Sequence, residues 1–199
     1  MKSIFISLLI ILLGGCVTTK VPAKSEYRIN TALEVQKSES NSCKQKSLKV
    51  AQAFSSGTLM SKHMMYALGD TKQYAYTESI WAENPNLVIT SHILKLVRAT
   101  DLFQSVQISK SRASNDFILE INIEDFMQYF DEESSHSHAN ISLTLTLIEI
   151  KSNRVIATQS FDAKVDVQEL NAQGGVNGLK EALNIILKDV NNWIIGVCK

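Results

Sequence analysis

The sequence predicts an α+β fold: an antiparallel β-sheet with two amphipathic helices packed on one face. Three observations carry this. Residues 116–167 alternate apolar and polar side chains through three consecutive runs. After Pro85, the residues Ile89, Ile93, Leu96 and Val97 recur at helical spacing. In the last stretch, Leu179, Leu183, Ile186, Leu187, Val190, Trp193 and Ile194 share one helical face. Period two gives a strand with one buried and one wet face, and period 3.6 gives a helix with one buried stripe. Such elements are stable only when their apolar faces cover one another.

In chain order, Leu48, Val50 and Phe54 fit a first strand of the domain, although Ala51 and Ala53 blur the alternation. Lys62 to Leu68 and Lys72 to Thr77 flank Gly69-Asp70, a hairpin signal because glycine takes the positive φ that such turns need. Tyr74 and Tyr76 share one face of that hairpin, and Met60, Met64, Met65 and Tyr66 cluster with them. Core packing is the first explanation of this cluster, and an adaptable surface for a partner or a lipid is the second. Pro85 suits the first turn of a helix, where its missing N–H costs nothing, and that helix ends near Thr100. A short strand follows at Val106 to Ile108. Three long strands then form a meander. Phe117, Leu119, Ile121 and Ile123 make the first apolar face, Ile141, Leu143, Leu145 and Leu147 the second, and Val155, Ala157, Phe161, Ala163 and Val165 the third. Asp131 to His138 makes the first connection and Lys151 to Arg154 the second. Gly174, Gly175 and Asn177 mark the loop before a final helix of about 20 residues.

The N-terminus carries an export signal. Lys2 gives a short positive start, and Ile4 to Leu13 is an apolar run broken only by Ser7. That length fits a signal peptide and is too short to span a bilayer. Leu13-Gly14-Gly15-Cys16 closes it, and this leucine-small-small-cysteine pattern resembles a bacterial lipobox. The expected organisation is a cleaved signal over 1–15, a lipidated N-terminus and polar tether over 16–46 with a short first strand near Tyr27 to Leu33, and one α+β domain over 47–199. Cys16 is the expected lipid attachment site, carrying diacylglyceryl and N-acyl (palmitate-type) chains. No other cofactor is expected. One acyl chain holds only marginally and two or three hold firmly, so the mature protein stays on its membrane. Val17 follows the cysteine and no aspartate does. By resemblance to lipoprotein sorting in enteric bacteria, this favours the outer membrane, with the periplasmic face of the inner membrane as the alternative.

Twenty basic and 20 acidic residues balance, so bulk charge draws the chain neither to nucleic acid nor to anionic lipid. With Cys16 acylated, only Cys43 and Cys198 remain. An oxidising compartment preserves disulfides, so a Cys43–Cys198 bridge is expected. The alternative is two buried or intermolecular thiols. The bridge would close a loop of some 155 residues, contributing on the order of 4–5 kcal/mol in the loop-entropy account.

Catalytic chemistry is not apparent. The chain has no G-x-S-x-G, no H-E-x-x-H and no P-loop, and no catalytic residue is assigned. His136 and His138 beside Asp131, Glu132 and Glu133 are weak candidates for a divalent metal, and a solvated hairpin tip explains them better. His63 and His92 read as structural or surface residues.

A further set of residues, spread along the chain, carries a family resemblance. Tyr27 follows the lipobox. Tyr76, Trp81 and Pro85 precede a helix with Leu94. Leu102-Phe103 and Val106 come next, then Asp116-Phe117-Ile118-Leu119 at a strand start, Phe126 at its far end, and a last helix closing on Trp193. In order and spacing this layout resembles the ABC-type transport auxiliary lipoprotein components, which accompany transporters of the mammalian-cell-entry (MCE) class. Tyr27-Arg28-Ile29 departs from the tyrosine- and proline-rich opening of that family, and the Cys43/Cys198 pair is not a general family feature. The resemblance implies a non-catalytic lipoprotein that docks an MCE-domain protein of an ABC lipid transport system at the outer membrane, with lipid contact as a further expectation. A structural or assembly lipoprotein of the outer membrane and a periplasmic lipid-binding protein are the competing readings.

Overall fold

The computed structural model describes residues 23–32, 35–36 and 42–199. The signal over 1–15, Cys16 and Val17 lie outside the described residues. Among those described, nine strands form one sheet and two α-helices cover it.

The spine of the sheet is β7 (Phe117–Phe130). Along one edge it pairs antiparallel with β8 (Ser137–Glu149), and β8 pairs antiparallel with β9 (Arg154–Val167). This is the meander that the alternation predicts. Leu119, Ile121 and Ile123 of β7 and Ala139, Ile141, Leu143, Leu145 and Leu147 of β8 are buried, while Glu120, Asn122 and Glu124 are exposed. A register shift between Ile123 and Asp125 then turns Phe126 and Gln128 inward beside Ile141 and Ala139.

The other edge of β7 departs from the expected all-antiparallel sheet. Three short strands run parallel to it in succession: β2 (Ser47–Val50) at Phe117–Leu119, β3 (Phe54–Ser55) at Asn122–Ile123, and β4 (His63–Leu68) at Gln128–Phe130. The reason is connectivity. The chain passes along the site of β7 once, leaves through the hairpin and the first helix, and returns as β7 in the same direction. Beyond β2 lies β6 (Ser105–Ile108), also parallel. Beyond β4 lies its hairpin partner β5 (Lys72–Trp81), turned by Gly69 at φ +58°. Beyond β5 lies β1 (Ser25–Tyr27), parallel to Ser79–Trp81.

Helix α1 (Pro85–Ala99) begins at its proline, and buries Ile89, Ile93, Leu96 and Val97 as the spacing predicts. It also closes the gap between β2 and β3. There the Ala53 N–H donates to Thr90 Oγ1 at 2.8 Å, and Asn86 Nδ2 donates to the Ala53 carbonyl at 3.3 Å. Helix α2 (Ala172–Val197) runs 26 residues and buries Leu179, Leu183, Ile186, Leu187, Val190 and Ile194. Gly174 and Gly175 are not a loop before it. They form its first turn, capped by Asn171, whose Oδ1 accepts from the Gly174 N–H at 2.9 Å. Their small size serves close approach: a Cβ on Gly174 would meet the Glu169 carbonyl at 1.9 Å, and one on Gly175 would meet Gln128 Oε1 at 2.0 Å.

The segment expected to be tether is partly folded. Strand β1 joins the sheet at Ser25, and Ile29 is buried in the common core, because that edge of β5 would otherwise expose its backbone and the apolar ends of Trp81 and α1. Cys43 and Cys198 form a disulfide with Cα atoms 5.3 Å apart, and the Ser42 N–H donates to the Cys198 carbonyl at 2.7 Å. The start of the domain is thereby fixed to the end of α2.

Candidate functional site: a cleft between β1 and α1

Where β1 leaves the sheet edge, the chain crosses the first half of α1 and leaves a cleft of ≈ 360 Å³. Its lining is mixed, with apolar side chains on one side and Asn30, Ser91 and His92 on the other. Trp81 ends β5, Phe126 follows the register shift in β7, and their rings meet edge to face at 5.7 Å. Val88 and Pro85 of α1 and Tyr27 of β1 complete the wall. Arg28, Lys95 and Glu83 stand exposed on the rim.

Within the lining, His92 holds the N-terminal segment to the helix. Its Nε2 lies 3.1 Å from the Ile29 carbonyl and its Nδ1 lies 2.9 Å from Thr31 Oγ1. A carbonyl only accepts, so Nε2 carries the proton and Nδ1 accepts from the Thr31 hydroxyl. Burial lowers the pKa of His92 from its ordinary 6.5, the Ile29 carbonyl opposes that shift, and the charge of Lys95 adds to it. The ring is therefore neutral near pH 7. Both of its nitrogens are committed to structure, which removes it from general-base chemistry.

Four residues of the family resemblance, Tyr27, Trp81, Pro85 and Phe126, converge here from separate elements. Periodicity alone did not bring out Arg28, His92 or Lys95. Arg28 and Lys95 sit 67 positions apart, and no local pattern links them.

The other predicted residues lie elsewhere. His136 and His138 both line a shallow depression of ≈ 430 Å³ at the far end of the meander, with Asp131, Lys164 and Asp166. His136 Nδ1 is held in its turn, 3.2 Å from Asp131 Oδ2, while the rest of the ring stands exposed. The Ser135 hydroxyl, then the backbone N–H groups of His136 and Ser135, bring the Asp131 carboxyl down to about 2. The His138 ring stacks on Tyr129 at 5.2 Å. Tyr129 in turn donates to Asp125 Oδ2 at 2.8 Å, as does Asn140 Nδ2 at 2.7 Å. Burial nevertheless raises the Asp125 pKa above the usual carboxylate range. Among the described residues, no group of three His, Cys, Asp or Glu side chains is placed to hold a metal ion.

On the hairpin Tyr66 stacks on Tyr74 at 5.6 Å and meets Tyr76 at a tilt at 4.6 Å, with Phe130 edge-on to Tyr66 at 5.5 Å. Tyr76 donates to Gln128 Oε1 at 2.8 Å, and Gln128 Nε2 donates to Ser137 Oγ at 2.9 Å. This satisfies a glutamine that is wholly buried. Met64 is buried and Tyr76 packs against the core, while Met65 and Tyr66 are half-buried and Met60 and Tyr74 are exposed, so the cluster is part core and part surface.

Comparison with solved structures supports the fold. Protein XCC0632 from Xanthomonas campestris superposes with a TM-score of 0.75 at 15% identity, covering 87% of this chain and 96% of its own. An uncharacterised protein gives 0.64 at 14% identity, covering 87% and 99%. The hypothetical protein CT253 from Chlamydia trachomatis gives 0.50 at 11% identity, covering 77% and 98%. No curated protein is detectably similar in sequence. Among the described residues, no helix is long and apolar enough to cross a membrane. The sequence matches the family described as ABC-type transport auxiliary lipoprotein component over residues 27–191, from the first cleft residue nearly to the end of α2, and the chain belongs to that family.

Proposed function

We propose that this protein is the non-catalytic, periplasm-facing lipoprotein component of an MCE-type ABC lipid transport system, held at the outer membrane by acylated Cys16 and docking the transport assembly there. The observation that carries the reading is the family match over nearly the whole domain, joined to the lipobox at Cys16. The geometry agrees with it. Only eight residues separate Cys16 from the first residue of β1, so an extended tether reaches about 30 Å. The β1 edge and its cleft then lie close to the membrane. The polar outer face of the meander lies across the sheet from β1, and it is the surface offered to a partner.

The test is a crosslinking pull-down from membranes, with Cys16→Ala as the control. Recovery of an MCE-domain protein, reduced when the anchor is removed, is the expected result. Recovery of barrel-assembly or cell-wall proteins alone sinks the transport reading in favour of a structural lipoprotein.

A further inference from the structure

We propose that the cleft between β1 and α1 binds one anionic phospholipid, with Arg28 and Lys95 on its phosphate and one acyl chain along Trp81, Val88 and Phe126. The inference rests on the membrane anchorage proposed above.

The first argument is shape. A volume of ≈ 360 Å³ lies at the small end of the range for ligand sites, about 300–1,000 Å³. It takes a phosphate with the start of one chain and leaves the second chain outside.

The second argument is the division of chemistry within the cleft. Trp81, Phe126, Val88 and Pro85 form an apolar floor on one side, Asn30, Ser91 and His92 add polar lining, and the charged side chains Arg28, Glu83 and Lys95 stand exposed around it. A free inorganic anion would gain nothing from that floor, and an uncharged chain would gain nothing from that rim. An amphiphile uses both.

The third argument is charge balance. Among the described residues, neither Arg28 nor Lys95 makes an ion pair. Glu83 shares the rim, so the three ionised groups leave one surplus positive charge. His92, buried within the lining and neutral, adds none. One positive charge matches a phosphodiester, which carries one negative charge. It matches a phosphatidylglycerol-type headgroup better than a phosphatidylcholine-type one, whose own cation already balances its phosphate.

The fourth argument is reach. Twelve residues join Cys16 to Arg28, about 40 Å fully extended. The rim cations therefore fall within range of the headgroups of the membrane that holds the anchor.

The test places the mature lipidated protein in phosphatidylcholine nanodiscs doped with phosphatidylglycerol brominated on its acyl chains. Bromine quenches tryptophan only near contact. Trp81 lines the cleft, whereas Trp193 packs on Phe161 and is replaced by phenylalanine so that Trp81 reports alone. The expected result is loss of more than half of the Trp81 emission. Brominated phosphatidylcholine at the same dose should quench much less, and added inorganic phosphate should not restore the signal. The double variant R28Q/K95Q should abolish the difference between the two lipids without shifting the melting temperature. Val88→Phe, which fills the floor without adding a second tryptophan, should remove binding of either lipid. Native mass spectrometry of the wild-type chain then counts one retained lipid.

Equal quenching by both lipids, insensitive to R28Q/K95Q, overturns the assignment in favour of an unselective apolar slot. No quenching in a folded protein also overturns it, and points to the chain's own segment before β1 as the occupant. If the lipid result fails while the MCE-domain protein is still recovered, the transport role stands without this site. If the lipid binds and no such protein is recovered, the site stands and the transport role falls.

Discussion

The two flanks of β7 are built by different means. On one side, β8 and β9 pair over 13 or 14 residues each, in sequence order, beneath a 26-residue helix. On the other, β2, β3 and β4 contribute two to six residues each, and β1, farther out across β5, contributes three. The first flank holds by repetition: many equivalent ladder bonds over a continuous aliphatic layer. The second holds by particular contacts, such as Thr90 and Asn86 on the Ala53 backbone and His92 on Ile29 and Thr31. The cleft lies on the second flank. Rigid layers make a scaffold, and the segments with few bonds are the ones free to rearrange around a ligand.

Breaking the link between the flanks should have the largest effect. Cys43→Ser with Cys198→Ser opens a loop of 155 residues. The expected loss is on the order of 4–5 kcal/mol, read by urea unfolding of oxidised protein against the variant. An unchanged midpoint would mean that the two ends are held by packing alone.

A matched pair of truncations sharpens the contrast next. Leu143→Ala in β8 and Ile29→Ala beside β1 both remove buried aliphatic volume. The first should cost about 2–5 kcal/mol of global stability. The second should leave the global midpoint nearly unmoved and instead raise amide exchange across Ser25–Tyr27. Equal global losses would refute the idea that the β1 side opens on its own.

Acid should act on the second flank before the first. The pKa of His92 is lowered in the folded state, so the detached segment binds a proton more readily. The stability that His92 contributes is complete above the ordinary value of 6.5 and is lost as pH falls through 6.5 toward the lowered folded pKa. Hydrogen exchange at residues 25–31 should therefore rise in mild acid, while β7–β9 remain protected. His92→Gln should flatten that pH dependence.

The smallest effect belongs to the exposed pair Lys46–Asp116 at 3.7 Å. Lys46→Ala should change stability by about 0.2–1 kcal/mol at most. Asp116 keeps its stronger bonds to Ser47, where the N–H and hydroxyl each donate to Oδ2 at 2.8 Å.

The same contrast explains what the sequence discloses. The meander is legible because its pairings are local and each strand alternates for more than ten residues. The hairpin at Gly69 and the start of α1 at Pro85 are legible because those residues have a local backbone role. The parallel flank is not. Phe54 looks like a core strand residue beside Leu48 and Val50, yet it is 67% exposed in a two-residue strand. Gly174 and Gly175 look like a loop, because the need for a small residue arises from Glu169 and from Gln128, more than 40 positions away. His92 looks like any helix histidine until the Ile29 carbonyl is folded against it. The two cysteines could be paired by elimination, since Cys16 has its own expected chemistry, but the rim cations had no such argument.

The bridge between Cys43 and Cys198 also defines how the molecule responds to force. Consider a pull applied between a fixed N-terminus and whatever grips the end of α2. Tension then passes through the sulfur atoms and bypasses the 155 residues between them. Strands β2 to β9 and both helices stay outside the stressed path. Only the chain from Cys16 to Cys43 can be drawn out, about 95 Å when fully extended. Within it, the three paired residues of β1 and the grip of His92 are the first to yield. The domain would behave as a rigid block on a leash of fixed maximum length, able to follow relative movement of its two attachments without unravelling.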